Sequence, residues 1–267
     1  MNQLADNIVK KFQKKIFDWW KIHKRDLPWR KTTNPYYIMV SEIMLQQTQV
    51  SRSIEKYLEF IGKYPTLESL ANAPVADVLK IWSGLGYNRR ALWLQQAAQQ
   101  IVALKEFPNS QEELQKLKGI GPYSSRSILI FAYNQDITTV DTNIRRIFIA
   151  EGFAEETRSE KELFVIAEKL LPKGHSADWH NALMDYGAIE LTATKTGIKP
   201  KTTQSNFSKS NRYYRGMIVK LLTQEKSLTK KQLIDQCNLT REKIDPLLSG
   251  LITDGLIVKK EKGYQLP

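Results

Sequence analysis

The chain has 267 residues, 42% of them hydrophobic and 25% charged, which excludes global disorder and fits one large domain or two smaller ones. Forty Lys and Arg against 28 Asp and Glu give a formal charge of +12, the electrostatic footprint of a nucleic-acid binder, although a solubilising surface would look the same. The one cysteine, Cys237, excludes an internal disulfide, a four-cysteine zinc site and a four-cysteine iron–sulfur cluster.

The chain opens on Met1–Asp6 without the apolar core of a secretory signal. No later run approaches the roughly 18 apolar residues of a membrane-crossing helix. A cytoplasmic protein with no membrane association is expected. Ile8, Phe12, Ile16, Trp19 and Trp20 recur at helical spacing. Pro28 then interrupts the helix, because the residue before a proline is pushed out of the helical region. A mostly apolar helical pattern resumes over 35–47 and carries a single carboxylate, Glu42, with apolar neighbours on both sides. Further helices are expected at 50–64, 66–71, 75–82, 88–104, 111–116, 122–132, 142–151, 160–170 and 177–192. Strand-like alternation is almost absent, so this first part is all-α.

Between 192 and 211 the composition shifts to Thr, Lys, Ser, Gly and Pro, which reads as a linker. Three helical segments at 213–224, 229–237 and 241–254 and two short strands around a Lys-Gly turn follow. The expected organisation is a helical core over 1–192, a linker over 193–211 and a small basic winged-helix-like domain over 212–267.

Four constellations carry chemistry. In Leu117–Ser124, Gly119 and Gly121 make a tight turn, and Pro122 suits the first position of the next helix. Such a turn aims backbone N–H groups outward at a helix start, an arrangement that grips a phosphate without reading sequence; an ordinary glycine-rich turn is the alternative. Asp141 stands where a helix begins, so it is a natural N-cap that can also be aimed at a ligand. Glu42 among Val40, Ile43, Met44 and Leu45 is expected to be partly desolvated; desolvation makes a carboxyl group harder to ionise and able to act as a general acid near neutral pH. Gln46, Gln47 and Thr48 form a polar cluster suited to base edges. Gly84–Arg90 presents Tyr87 beside two arginines, which fits base stacking or wedging with phosphate contacts, or core packing with a solvated arginine pair.

The order and spacing of Arg25–Arg30, Ser41–Val50, Gly84–Tyr87, Leu117–Tyr123, Val140–Asn143 and Met184–Ala188 closely resemble the MutY-type adenine DNA glycosylases of the helix-hairpin-helix superfamily, over roughly residues 8–190. The resemblance implies a helix-hairpin-helix glycosylase core and a monofunctional DNA N-glycosylase of base excision repair. Such an enzyme flips out adenine mispaired with 8-oxoguanine or guanine in duplex DNA. A monomer acting on nucleoid DNA is expected. By motif, Glu42 is the acid that protonates the adenine ring, Asp141 stabilises the oxocarbenium-like sugar, Asn143 positions it and Tyr123 supports the glutamate. Tyr123 stands where endonuclease III has a nucleophilic lysine, which argues against lyase chemistry. Arg25, Trp29, Arg30, Leu45 and Asp185 match positions that line the adenine pocket. Gln47, Thr48 and Tyr87 match those that probe the opposite base. Lys118, Gly119, Gly121 and Ser124 form the phosphate-gripping hairpin.

Two departures stand out. The family's four cluster cysteines after the Asp-x-Gly-Ala motif are absent, so no metal and no cofactor is expected; Lys195, Lys199 and Lys201 can replace the basic loop that the cluster shapes. The C-terminal segment is too short and too helical for the Nudix-like domain that recognises 8-oxoguanine in many members. Alternative readings are a thymine, uracil or hypoxanthine glycosylase on the same fold, and a non-catalytic DNA-binding protein.

Overall fold

The computed structural model describes residues 5–201, 206–208 and 210–267. The first four residues of the opening segment, and 202–205 and 209 within the expected linker, lie outside the described residues. In chain order the helices are α1 (Asp6–His23), α2 (Pro35–Leu45), α3 (Val50–Lys63), α4 (Leu67–Ala71), α5 (Val75–Trp82), α6 (Arg89–Leu104), α7 (Gln111–Lys116) and α8 (Pro122–Tyr133). They continue as α9 (Thr142–Ala150), α10 (Glu160–Leu170), α11 (Ser176–Ile189), α12 (Ala193–Thr196), α13 (Asn211–Gln224), α14 (Lys230–Cys237) and α15 (Arg241–Thr253), followed by strands β1 (Val258–Lys260) and β2 (Gly263–Gln265). The architecture is all-α but for that hairpin, as expected. Among the described residues no helix is long and apolar enough to cross a membrane.

Contacts divide the chain into two compact units, residues 1–39, 109–115 and 120–203 in one and 40–108, 116–119 and 204–267 in the other. In the first unit, Phe12, Ile16 and Trp20 on α1 recur every four residues and meet Ile147 and Phe148 of α9, Leu163 of α10 and Trp179 and Leu183 of α11 in one core. Local signals set the helix ends. Ser159 and Glu162 form a capping box on α10, and Pro122 at the first turn of α8 follows Gly121 at its N-cap.

The second unit buries Tyr57 and Phe60 of α3, Leu70 of α4, Val78 and Trp82 of α5 and Leu94 and Ile101 of α6. Phe60 meets Trp82 edge to face, with ring centroids 6.1 Å apart. The same unit includes the C-terminal elements. Their core is Ile218, Leu222, Leu233, Ile244, Leu248, Leu251 and Ile257. Leu228, ahead of α14, exchanges backbone hydrogen bonds of 2.9 and 2.8 Å with Tyr264 of β2.

The segment after α11 departs from its reading as a linker. Thr192 caps α12 by accepting from the Lys195 N–H, Ile198 is buried, and the Lys199 carbonyl accepts from Arg145 of α9. Composition suggested a free connector because these anchors are a capping threonine and one buried isoleucine, too few to make a periodic pattern.

Candidate active site

In the first unit the start of α9 carries Asp141. Its Oδ1 caps the helix by accepting the Ile144 N–H at 2.7 Å, and its Oδ2 accepts from the Asn143 amide at 3.0 Å. The Asn143 amide cannot be reversed, because Arg146, which only donates, reaches Asn143 Oδ1 at 2.6 Å and the Gly187 carbonyl at 2.9 Å. A Cβ on Gly187 would stand 2.9 Å from Asn143 Cβ, so glycine on α11 allows this close approach. Burial pushes the Asp141 carboxyl above the ordinary aspartate value, and the Ile144, Asn143 and Arg146 contacts only partly pull it back.

His180 on α11 fixes the segment leading into Asp141. Its Nε2 accepts the Thr139 N–H at 3.2 Å, so the proton sits on Nδ1 and is donated to the Ser176 carbonyl at 2.8 Å. Burial drives its pKa down to about 4, so at neutral pH the ring is the uncharged tautomer this geometry needs. The sequence reading passed over both His180 and Arg146, since neither stands in a glycine- or proline-marked motif.

Asp185, one turn before the C-terminal end of α11, is fully buried. Trp20 Nε1, the backbone and Nε of Arg25, and both terminal nitrogens of Arg30 all donate to it. Burial opposes its ionisation, but Arg30 and Arg25 outweigh that and hold its carboxyl below the ordinary range. Both oxygens are thus committed to the arginines. Asp185 orients Arg25 and Arg30, and Trp29 beside them is buried.

The hairpin joins α7 to α8. Gly119 has a φ of +79°, a region glycine enters without cost, and a Cβ there would meet Trp93 Cβ at 2.7 Å. The Lys118 N–H already donates to Gln100 Oε1 at 2.7 Å, and Ser124 is buried. Tyr123, in the first turn of α8, is about a third exposed. It lines a cleft of about 360 Å³ with Arg126, Thr139, Val140 and Phe164.

In the second unit Glu42 is 8% exposed, between Ser41 at 1% and Ile43 at 2%, because α2 is apolar on nearly all sides. At its C-terminal end lies a feature the sequence did not disclose. Arg90, expected to contact phosphate or to stand in solvent beside Arg89, is buried. One terminal nitrogen donates to the Ile43, Met44 and Gln46 carbonyls, and the other to Thr48 Oγ1 and the Leu85 and Gly86 carbonyls. Burial lowers its pKa to about 10, which leaves it charged at neutral pH. Six oxygens, from the end of α2 and from two loops, share one guanidinium. That clamp brings together the expected base-probing residues: Gln47 and Thr48 on one loop, Tyr87 on the other. Gln47 and Tyr87 have φ of +56° and +47°, a strained region for non-glycine residues that persists only where the surroundings impose it. Leu45 and Thr48 are half-buried, and Gln47 is exposed.

A four-cysteine cluster does not fit this chain. Cys237 is its one cysteine and lies buried on α14. The end of α11 is secured by polar contacts instead: Arg146 donates to the Gly187 and Leu191 carbonyls and Lys195 to the Ile189 carbonyl.

The HhH-GPD superfamily of base excision DNA repair proteins matches residues 40–173. The adenine DNA glycosylase of Mycolicibacterium smegmatis is 31% identical over 274 residues, covering 93% of each chain. The chain belongs to the adenine DNA glycosylase family of the HhH-GPD superfamily. It spans only 35% of the longer adenine DNA glycosylase of Arabidopsis thaliana, at 31% identity over 222 residues and 72% of this chain. A solved thermostable thymine-DNA glycosylase superposes with a TM-score of 0.66 and 29% identity, over 70% of this chain and 89% of that one. The HhH-GPD match takes in Glu42, Arg90, Tyr123 and Asp141. Arg25, Arg30 and Asp185 lie outside it.

Proposed function

We propose that the chain is a monofunctional DNA N-glycosylase that excises adenine mispaired with 8-oxoguanine or guanine from duplex DNA, acting as a monomer and without a metal or cluster. The observation that carries this reading is Glu42, a carboxyl 8% exposed on an apolar helix within the family match. Glu42 protonates a ring nitrogen of the extruded adenine, so the glycosidic electron pair leaves on a neutral base. Asp141, aimed by Asn143, faces the positive charge that develops on the sugar, and water then adds to the anomeric carbon. Tyr123 takes the supporting role that its motif gives it. Arg25, Arg30 and Trp29 contact the extruded base, with Asp185 acting through the two arginines, and Leu45 takes the base-contacting role that its motif gives it. Gln47, Thr48 and Tyr87 probe the opposite base. In the hairpin, Gly119, Gly121 and the start of α8 take a phosphate, with Lys118 contributing its side chain. The order α13, the Leu228 bridge, α14, α15 and the hairpin supports a winged-helix-like reading of the C-terminal segment.

The test is Glu42→Gln on duplexes carrying A, T, U or hypoxanthine opposite G or 8-oxoguanine. Loss of adenine excision by more than about a hundredfold, with duplex binding retained, is expected from the ~10²–10⁴-fold value of a general acid. Residual excision above about a hundredth of wild type overturns the role of Glu42, and excision confined to T or U overturns the substrate.

A further inference from the structure

Extending from the base-probing loop, and sharing Tyr87 with it, the second unit carries a surface on which exposed rings surround one guanidinium group. Tyr87, Phe207 and Tyr213 are 40%, 59% and 38% exposed. Arg212, in the first turn of α13, lies between them. Its guanidinium carbon is 5.6 Å from the Tyr87 ring centroid and 6.0 Å from that of Phe207, and it donates to the Tyr87 hydroxyl. Phe207 and Tyr213 meet edge to face with centroids 5.7 Å apart.

The patch is preorganised. The Ser210 hydroxyl donates to the Phe207 carbonyl at 2.7 Å and accepts the Tyr213 N–H at 3.3 Å, capping α13. Asp254 pairs with Arg89 at the start of α6 and with Arg215 on α13, which ties α13 to the helix that follows the Tyr87 loop. Three large rings left in water at one place mark an interaction site. Rings with a cation between them are the composition that stacks bases while pairing with the strand that carries them, and the charge of +12 agrees in sign.

We propose that Tyr87, Arg212, Phe207 and Tyr213 form a platform for unpaired nucleotides of single-stranded DNA, continuing the base-probing loop onto the C-terminal elements. The proposal rests on the reading of the chain as a glycosylase that opens a base pair. It adds a site that excision of one extruded base does not require.

The test is the affinity of the full-length protein for labelled oligothymidine and for an oligomer of equal length built of abasic sites, which keeps the phosphates and removes the bases. Wild type should prefer oligothymidine. The double variant Phe207→Ala/Tyr213→Ala should lose affinity for oligothymidine on the order of a hundredfold, about tenfold per stacking ring, and none for the abasic oligomer. Arg212→Lys, which keeps the charge but not the plane, should fall between. Excision from a mismatched duplex at saturating enzyme should be unchanged in the double variant, and its thermal unfolding should match wild type because both rings are exposed. Equal wild-type affinity for the two oligomers, or a double variant within about twofold of wild type, overturns the platform. Failure of wild type to excise adenine overturns the proposed function and leaves this comparison standing.

Discussion

Asp141 and Asp185 belong to the same unit, the first half-buried and the second fully buried, and their acidities are displaced in opposite directions. Asp185 has two guanidinium groups in contact with both oxygens, and their charge outweighs desolvation. Asp141 has a backbone N–H and a neutral amide, with Arg146 one residue further out, and desolvation wins. Direct contact with a cation decides the sign. A carboxylate satisfied by arginines is a fixed structural anion. One held by neutral donors keeps unspent negative charge, which is what a group facing a developing cation requires.

The largest expected effect breaks the comparison at Asp141. Asp141→Asn retains a good cap, since Asn and Asp rank together at that position, so unfolding free energy should change by less than about 0.5 kcal/mol. Excision measured in single turnover should fall at least about a hundredfold, the lower end for a group that stabilises charge developing in the transition state. A variant that unfolds easily yet still excises would make Asp141 a cap and nothing more.

Asp185→Asn should show first in stability. It leaves Arg25 and Arg30 without their counter-charge, and removing one partner of a buried pair costs about 3–5 kcal/mol. The lower end applies here, because Arg25 is 27% exposed and can turn to water. Denaturant unfolding of Asp185→Asn within about 1 kcal/mol of wild type would contradict this.

The sequence revealed the elements more completely than the site. Helix limits at Gly121–Pro122 and Asp141 follow from backbone chemistry that a few residues determine, and α2 declares itself by being apolar all round; α1 ends earlier than the proline signal, at His23, and Pro28 opens a single 3-10 turn. Arg90 was not legible. It sits beside Arg89 in an identical local context, and only folding brings carbonyls from residues 43–46 and 85–86 onto one of the pair. Asp185 likewise draws its donors from about 155–165 residues away, so its motif marked its importance without disclosing its partners. The anchoring of residues 192–199 is not legible because a capping threonine, one buried isoleucine and a carbonyl make no periodic pattern.

His180 sharpens the comparison through pH. Its folded-state pKa of about 4 lies below the ordinary value, so the unfolded chain binds the proton more tightly. The stabilising contribution of the neutral ring is therefore complete above about pH 6.5 and is lost as pH falls from there towards 4. Unfolding free energy should decline by about 1.4 kcal/mol per pH unit from this residue across that window. His180→Gln should flatten that part of the profile. If it leaves the slope of stability against pH unchanged, His180 is not the group titrating there.

The smallest effect expected is a displacement of the acid limb of excision in Asn143→Ala. Removing the amide takes away a donor to Asp141 Oδ2 and frees Arg146 from holding it, while the Ile144 N–H remains. With one lowering contact gone, the Asp141 carboxyl should rise further, so excision should be lost at a higher pH than in wild type as the solution is acidified. The sign extends to stability. A carboxyl raised on folding favours the native state below its unfolded pKa and loses that advantage as pH rises through its folded value. The charge-dependent part of the stability deficit of Asn143→Ala relative to wild type should therefore shrink as pH falls through the raised folded-state values, and be gone by about pH 4. A uniform drop in rate with an unmoved acid limb would mean that Asn143 merely fills space against Gly187. A moved limb assigns it the charge of Asp141.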